Sequence, residues 1–133
     1  MDYLKDRARR LYERRHLAGM VPHEDRSNDQ FHPEAGACHT NVDQWCRLNP
    51  THKPVRGWLV FDHSAVGRFL FVAHSVVEDE KGNRFDVTPQ RPIGQYGFLQ
   101  DEAFDEEYML LIQPTSATKS ANNGSEPRSG LAA

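Results

Sequence analysis

Cys38 stands two positions after Gly36, at the start of a segment, residues 37–48, whose periodicity reads as a helix. Thiol chemistry runs through the thiolate, and a free cysteine with a pKa of about 8.5 is mostly protonated at neutral pH. A helix N-terminus carries roughly half a positive charge on its unpaired N–H groups. A sulfur in the first turn is therefore drawn toward its ionised form, and the same N–H groups can receive an oxyanion. Downstream, His74 lies inside the apolar run 68–78, on the face it shares with Leu70, Val72 and Val76. A histidine there gives up hydration and needs a partner. Asp86 is the candidate. Nucleophile, base and orienting carboxylate would then follow in the order Cys38, His74, Asp86.

Whether Asp86 reaches His74 is a question of parity. An odd number of loop residues between two strands puts the two side chains on one face, and an even number puts them on opposite faces. A five-residue loop, 78–82, sets them directly opposite. A three-residue loop, 80–82, makes them diagonal neighbours, about 7–8 Å apart at Cα. Gly82 as the last loop residue fits the odd cases, because a type I turn followed by a left-handed glycine closes the usual three-residue hairpin.

Other residues of these types carry a plainer reading. Cys46 sits mid-helix as a small packed hydrophobe. His39, beside Cys38, projects about 100° away around the helix and is not read as the base. His63, after Asp62, reads as an exposed loop histidine. Asn41, on the turn after Cys38, is read either as orienting the site or as capping a loop. The seven histidines and two cysteines contain no Cys-x-x-Cys or His-Glu-x-x-His pattern, so no metal or other cofactor is expected.

The elements that must hold these residues follow from periodicity. Residues 2–18 read as an amphipathic helix with Leu4, Ala8, Leu11 and Tyr12 on one face and an arginine-rich, solvated face opposite. Residues 19–36 form a long polar loop. Asn49-Pro50 ends the second helix. Strands are expected at 55–61, 68–78 and 84–88, with a turn over 78–83 between the last two. Pro92, Gly94 and Gly97 mark another loop. Asp101, Glu102, Asp105, Glu106 and Glu107 read as a solvated acidic face. Tyr108–Ile112 reads as a last strand. The Ser/Ala/Asn/Gly-rich stretch 115–133 reads as a disordered tail behind a single catalytic domain, 1–114. The plan is α+β, with the helices packed on one side of an antiparallel sheet.

Composition narrows the function. The 133 residues hold 16 Lys+Arg against 19 Asp+Glu, a net charge of −3, which argues against a nucleic-acid partner. No apolar run approaches the ~20 residues that span a bilayer, so no membrane partner is expected. Met1 to Arg15 lacks the apolar core of a signal peptide. Two cysteines are too few for a disulfide scaffold. A cytoplasmic, reducing compartment is the expectation; a secreted effector would use the same chemistry.

The segment Cys38-His39-Thr40-Asn41-Val42, with Cys46 after it, resembles the Cys-x-x-Asn-Val/Ile-x-x-x-Cys start of the catalytic helix in the protein N-terminal glutamine amidohydrolases. His74-Ser75-Val76-Val77 and Asp86 hold the places of that family's histidine strand and aspartate. Asp86-Val87-Thr88-Pro89 is similar to the ending near the aspartate in transglutaminase-like sequences. The likeness covers residues 36–90. It implies a papain-like or transglutaminase-like fold and a Cys38–His74–Asp86 triad; Gln30 could add an upstream side-chain oxyanion donor, with a solvated loop glutamine as its plainer and favoured reading. It implies a cysteine amidohydrolase of the glutamine deamidase type, acting on a peptide or protein amide through a thioester. Peptide-bond cleavage and acyl transfer are neighbouring chemistries, and a non-catalytic peptide-binding module is the alternative class.

Overall fold

The computed structural model describes residues 2–89, 96–112 and 129–132. Its backbone is a long hairpin. Strand β1 (Lys53–His63) turns through the 3-10 segment Ser64–Val66 and Gly67 (φ 72°) into β2 (Arg68–Glu78). The register places Gly57 opposite His74 and Arg56 opposite Ser75. A short strand, β3 (Arg84–Phe85), continues from β2, with Val77 facing Phe85 and Glu78 facing Arg84. Strand β4 (Gly97–Gln100) pairs antiparallel with the other side of β1. The order is β3-β2-β1-β4; β5 (Ser129–Ala132) adds in parallel to β2 at Phe69–Val72. The rest of the expected tail, like the Pro92 and Gly94 loop positions, lies outside the described residues.

Three helices, α1 (Asp2–Arg14), α2 (Cys38–Leu48) and α3 (Asp105–Ile112), cover one face of this sheet. Leu11 and Tyr108 join Trp58, Phe71, Ala73 and Leu99 in one core cluster. Val42 and Trp45 join Phe31, Val77, Phe85 and Val87 in another. Side chains alternate along a strand, so the even-numbered residues of β2 face away from these helices. There Val76 packs with Val55 and Phe98, and Val21 covers them. The α+β plan with helices on one side of an antiparallel four-stranded sheet is the one expected from the sequence; the parallel strand β5, within the stretch read as a disordered tail, is not.

Three expectations are corrected. Tyr108–Ile112 is helical. Asp105, Glu106 and Glu107 occupy the first turn of α3, where carboxylates favour the positive end of a helix, and a five-residue apolar run does not by itself distinguish strand from helix. Gly97 lies in a strand, where it faces Val60. The arginine face of α1 and the acidic run stay largely exposed, as Arg9, Glu102, Asp105, Glu106 and Glu107 do, but Arg7 and Asp101 leave the solvent as a buried pair. Arg7 Nη2, in a side chain 4% exposed, donates to both carboxylate oxygens of Asp101 at 2.8 Å, and Arg10 meets Glu102 at 3.1 Å.

The stretch read as a long loop also does structural work. Gly19 exchanges backbone hydrogen bonds with Phe98 on β4 (3.0 and 2.8 Å), while Asp86, just past β3, donates to Pro22 O (2.8 Å) and accepts from Glu24 N–H (2.9 Å). The segment thus straps the face away from the helices from one sheet edge to the other. No helix among the described residues is long and apolar enough to cross a membrane.

Candidate active site

Cys38 is the first residue of α2. Gly36 (φ +81°) turns the chain into the helix, and the first intrahelical bond runs from Asn41 N–H to Ala37 O at 2.8 Å. By helical geometry, the N–H groups of Cys38, His39 and Thr40 have no partner inside the helix. The half-buried Cys38 sulfur makes its one aligned hydrogen bond among the described residues to the Ala73 carbonyl, at 4.0 Å. It meets β2 where that strand is free on one edge. β5 covers Phe69–Val72 and β3 covers Val77–Glu78, leaving residues 73–76 without a strand partner on that side among the described residues. The tip of α2 enters this gap, so side chains from both faces of β2 can gather around the sulfur.

His74 is buried, 6% exposed, and its Nε2 lies 2.6 Å from Asp86 Oδ2. Nε2–H donates to the carboxylate, which leaves Nδ1 for the sulfur. The hairpin has the odd parity that this contact needs. Val77 faces Phe85, Asp79 N–H bonds Asn83 O at 2.9 Å, and Gly82 takes φ +85°. Extended by one residue, this register sets Val76 beside Asp86 and makes His74 and Asp86 diagonal neighbours, the three-residue-loop case. Asp86 is steadied in turn, because its Oδ1 accepts the Thr88 N–H at 2.9 Å.

Asn41 joins the two halves of the site. Its amide donates to Glu34 O (2.8 Å) and Thr88 Oγ (3.0 Å), and its oxygen accepts from Glu34 N–H (3.1 Å). The helix that carries Cys38 is thereby tied to the segment that carries Asp86. Gln30, by contrast, is exposed. Its backbone N–H bonds Asn28 Oδ1 at 2.8 Å, and its side chain makes no hydrogen bond among the described residues. His63 is exposed at the end of β1.

The electrostatics follow from the neighbours. Burial pushes the Cys38 thiol up, but hydrogen bonding from His39 and His74 and the charge of His74 outweigh it and bring the group down to about 6. Burial pushes the His74 imidazolium down, but the Asp86 carboxylate and the Cys38 sulfur outweigh it and hold the ring up at about 9. An imidazolium–thiolate pair is the stable form between those values. Cys46, on the same helix, is pushed up to about 11 by burial and by the charge of Asp43.

A cavity of about 290 Å³ opens on the strapped face, walled by His74, Asp86, Val21, Leu59, Val76 and Phe98. Gly57, opposite His74, is required by close approach, since a Cβ there would sit 2.3 Å from Leu99 O. The buried Tyr108 hydroxyl donates to Gly57 O at 2.5 Å and fixes the strand pair from the helix side.

Sequence reasoning set His39 apart, and the structure brings it in. Its Nδ1 is 2.6 Å from Ser75 Oγ, and its ring meets Tyr108 edge-on, centroids 6.0 Å apart. The available signal was Ser75, a polar residue on the helix-covered face of an otherwise apolar strand. Among the described residues, no group of three or more His, Cys, Asp or Glu side chains is arranged to hold a metal. Comparisons with protein-family models, with curated proteins and with solved structures found no match to this chain.

Proposed function

We propose that this protein is a cysteine-dependent amidohydrolase of papain-like or transglutaminase-like design. Cys38 is the nucleophile, His74 the general base and acid, and Asp86 the group that orients His74. The observation that carries the reading is the placement of Cys38 at a helix start beside an imidazole that is itself bonded to a carboxylate at 2.6 Å. His74 takes the thiol proton and the thiolate attacks an amide carbonyl. The Cys38 backbone N–H is placed to receive the oxyanion. Protonated His74 then gives its proton to the leaving ammonia or amine. Water, deprotonated by His74, opens the thioester and returns the thiol. Base catalysis of this kind contributes roughly 10²–10⁴-fold and one oxyanion donor about 10²–10³-fold.

Deamidation of glutamine in a peptide or protein is the first reaction to test. The test is ammonia release from a panel of glutamine-bearing peptides, wild type beside Cys38→Ala. Release by the wild type alone supports the reading; equal release by both proteins contradicts it.

A further inference from the structure

We infer that His39 is a second functional imidazole of the site, a neutral hydrogen-bond donor to the Cys38 sulfur and to the oxyanion formed on attack, with its tautomer set by Ser75 and Arg56. The inference rests on the thiol-hydrolase reading and assigns the side-chain donor which the exposed Gln30 does not supply.

The argument is a count of hydrogens around Ser75. The residue is fully buried, at 0% exposed. Its hydroxyl has one hydrogen to give and two lone pairs to offer. Arg56 Nη1, 2.9 Å away, can only donate, so it takes one lone pair. The hydroxyl hydrogen then needs an acceptor, and His39 Nδ1, 2.6 Å away, is the one at hydrogen-bond distance among the described residues. Ser75 therefore donates to Nδ1. A neutral imidazole that accepts at Nδ1 carries its proton on Nε2. A proton on Nδ1 would leave the buried hydroxyl hydrogen without a partner, and a ring protonated on both nitrogens would in addition set a second cation across the hydroxyl from Arg56.

Arg56 is well placed for this role. It is buried, and its charge is held by Asp43 at 2.5 Å and Asp105 at 3.4 Å. The groups at the His39 ring are Cys38 from its own helix, Ser75 from β2 and Tyr108 from α3, with Arg56 from β1 behind Ser75 and His74 on Cys38. The two imidazoles divide the work. His74 beside Asp86 takes the thiol proton and returns it to the leaving group. His39 takes no proton; it offers Nε2–H to the thiolate, then to the carbonyl oxygen as the C–O π pair moves onto that oxygen.

Long-range ¹H–¹⁵N spectra of the full chain read the tautomer directly. Expected at pH 8 is an Nε2–H, Nδ1-acceptor ring for His39, becoming a tautomer mixture in Ser75→Ala. An Nδ1–H tautomer there overturns the inference. Alkylation of Cys38 against pH gives the second reading. His39→Phe should raise its midpoint enough to slow labelling at pH 7 roughly tenfold, by lowering the thiolate fraction, while His39→Gln, which keeps a neutral donor, should restore most of the rate. An unchanged midpoint in His39→Phe, with a wild-type midpoint near 6, defeats the role of His39 alone. A wild-type midpoint at an ordinary thiol value defeats the thiol-hydrolase reading itself.

Discussion

Cys38 and Cys46 sit on one helix, about 12 Å apart along its axis, and the fold treats them in opposite ways. Burial raises both thiols. Cys38 occupies the first position of α2, where the helix dipole favours an anion, and two imidazoles lie against it, so it ends near 6. Cys46 lies toward the other end, where the dipole disfavours an anion, and it faces the carboxylate of Asp43; it ends near 11. Cysteine reactivity here is set by the charges that face the sulfur and by the end of the helix it stands on. Depth of burial does not separate the two residues.

The sharpest way to break this contrast is to remove each sulfur in turn. Cys38→Ala should lower turnover of a glutamine peptide by roughly 10⁴-fold or more, as loss of a nucleophile does in triad enzymes. Cys46→Ala should leave it within about threefold. A large loss from Cys46→Ala, measured on a protein with an unchanged thermal midpoint, would place chemistry where this account puts packing.

Asp86→Asn comes next. It should cut kcat by about 10³-fold with little change in KM, because the ring loses the partner that orients and charges it. The pH profile carries the sign. Activity should rise as Cys38 loses its proton near 6 and fall as His74 loses its proton near 9. Asp86 raises His74, so its removal should move the alkaline limb to lower pH. A limb that stays in place would detach Asp86 from His74.

Asn41→Ala is a smaller step, because this residue positions the groups that react. The variant loses the bonds to Glu34 and Thr88. We expect a stability loss of about 1–3 kcal/mol in denaturant titration and a roughly tenfold loss of kcat. Gln30→Ala should be smallest, within about twofold of wild type. A drop of 10²-fold there would restore Gln30 as the oxyanion donor and weaken the case for His39.

The legible part of the molecule was local. Gly82, at the end of an odd loop, set the parity that brings His74 and Asp86 to one face, and the structure keeps that parity. The alternation of Leu70, Val72 and Val76 marked the strand that carries His74. What could not be read was set by distant contacts. Tyr108–Ile112 is a helix because its acidic first turn outweighs a short apolar run. The arginines of α1 and the acids after β4 each looked solvated; only the fold sets Arg7 on Asp101. His39 looked misdirected because helix geometry alone omits Ser75, which reaches it from the next layer. The strap 19–24 carried no strand signal, since its pairing with Phe98 and Asp86 exists only once the sheet has formed.

The most direct test of the central claim is the rate of iodoacetamide labelling of both cysteines in one wild-type sample, followed by mass spectrometry from pH 4 to 10. The expected result is that Cys38 becomes reactive with a midpoint near 6 while Cys46 stays nearly inert to pH 10. Two cysteines that share one curve, with a midpoint near that of a free thiol, would contradict the account.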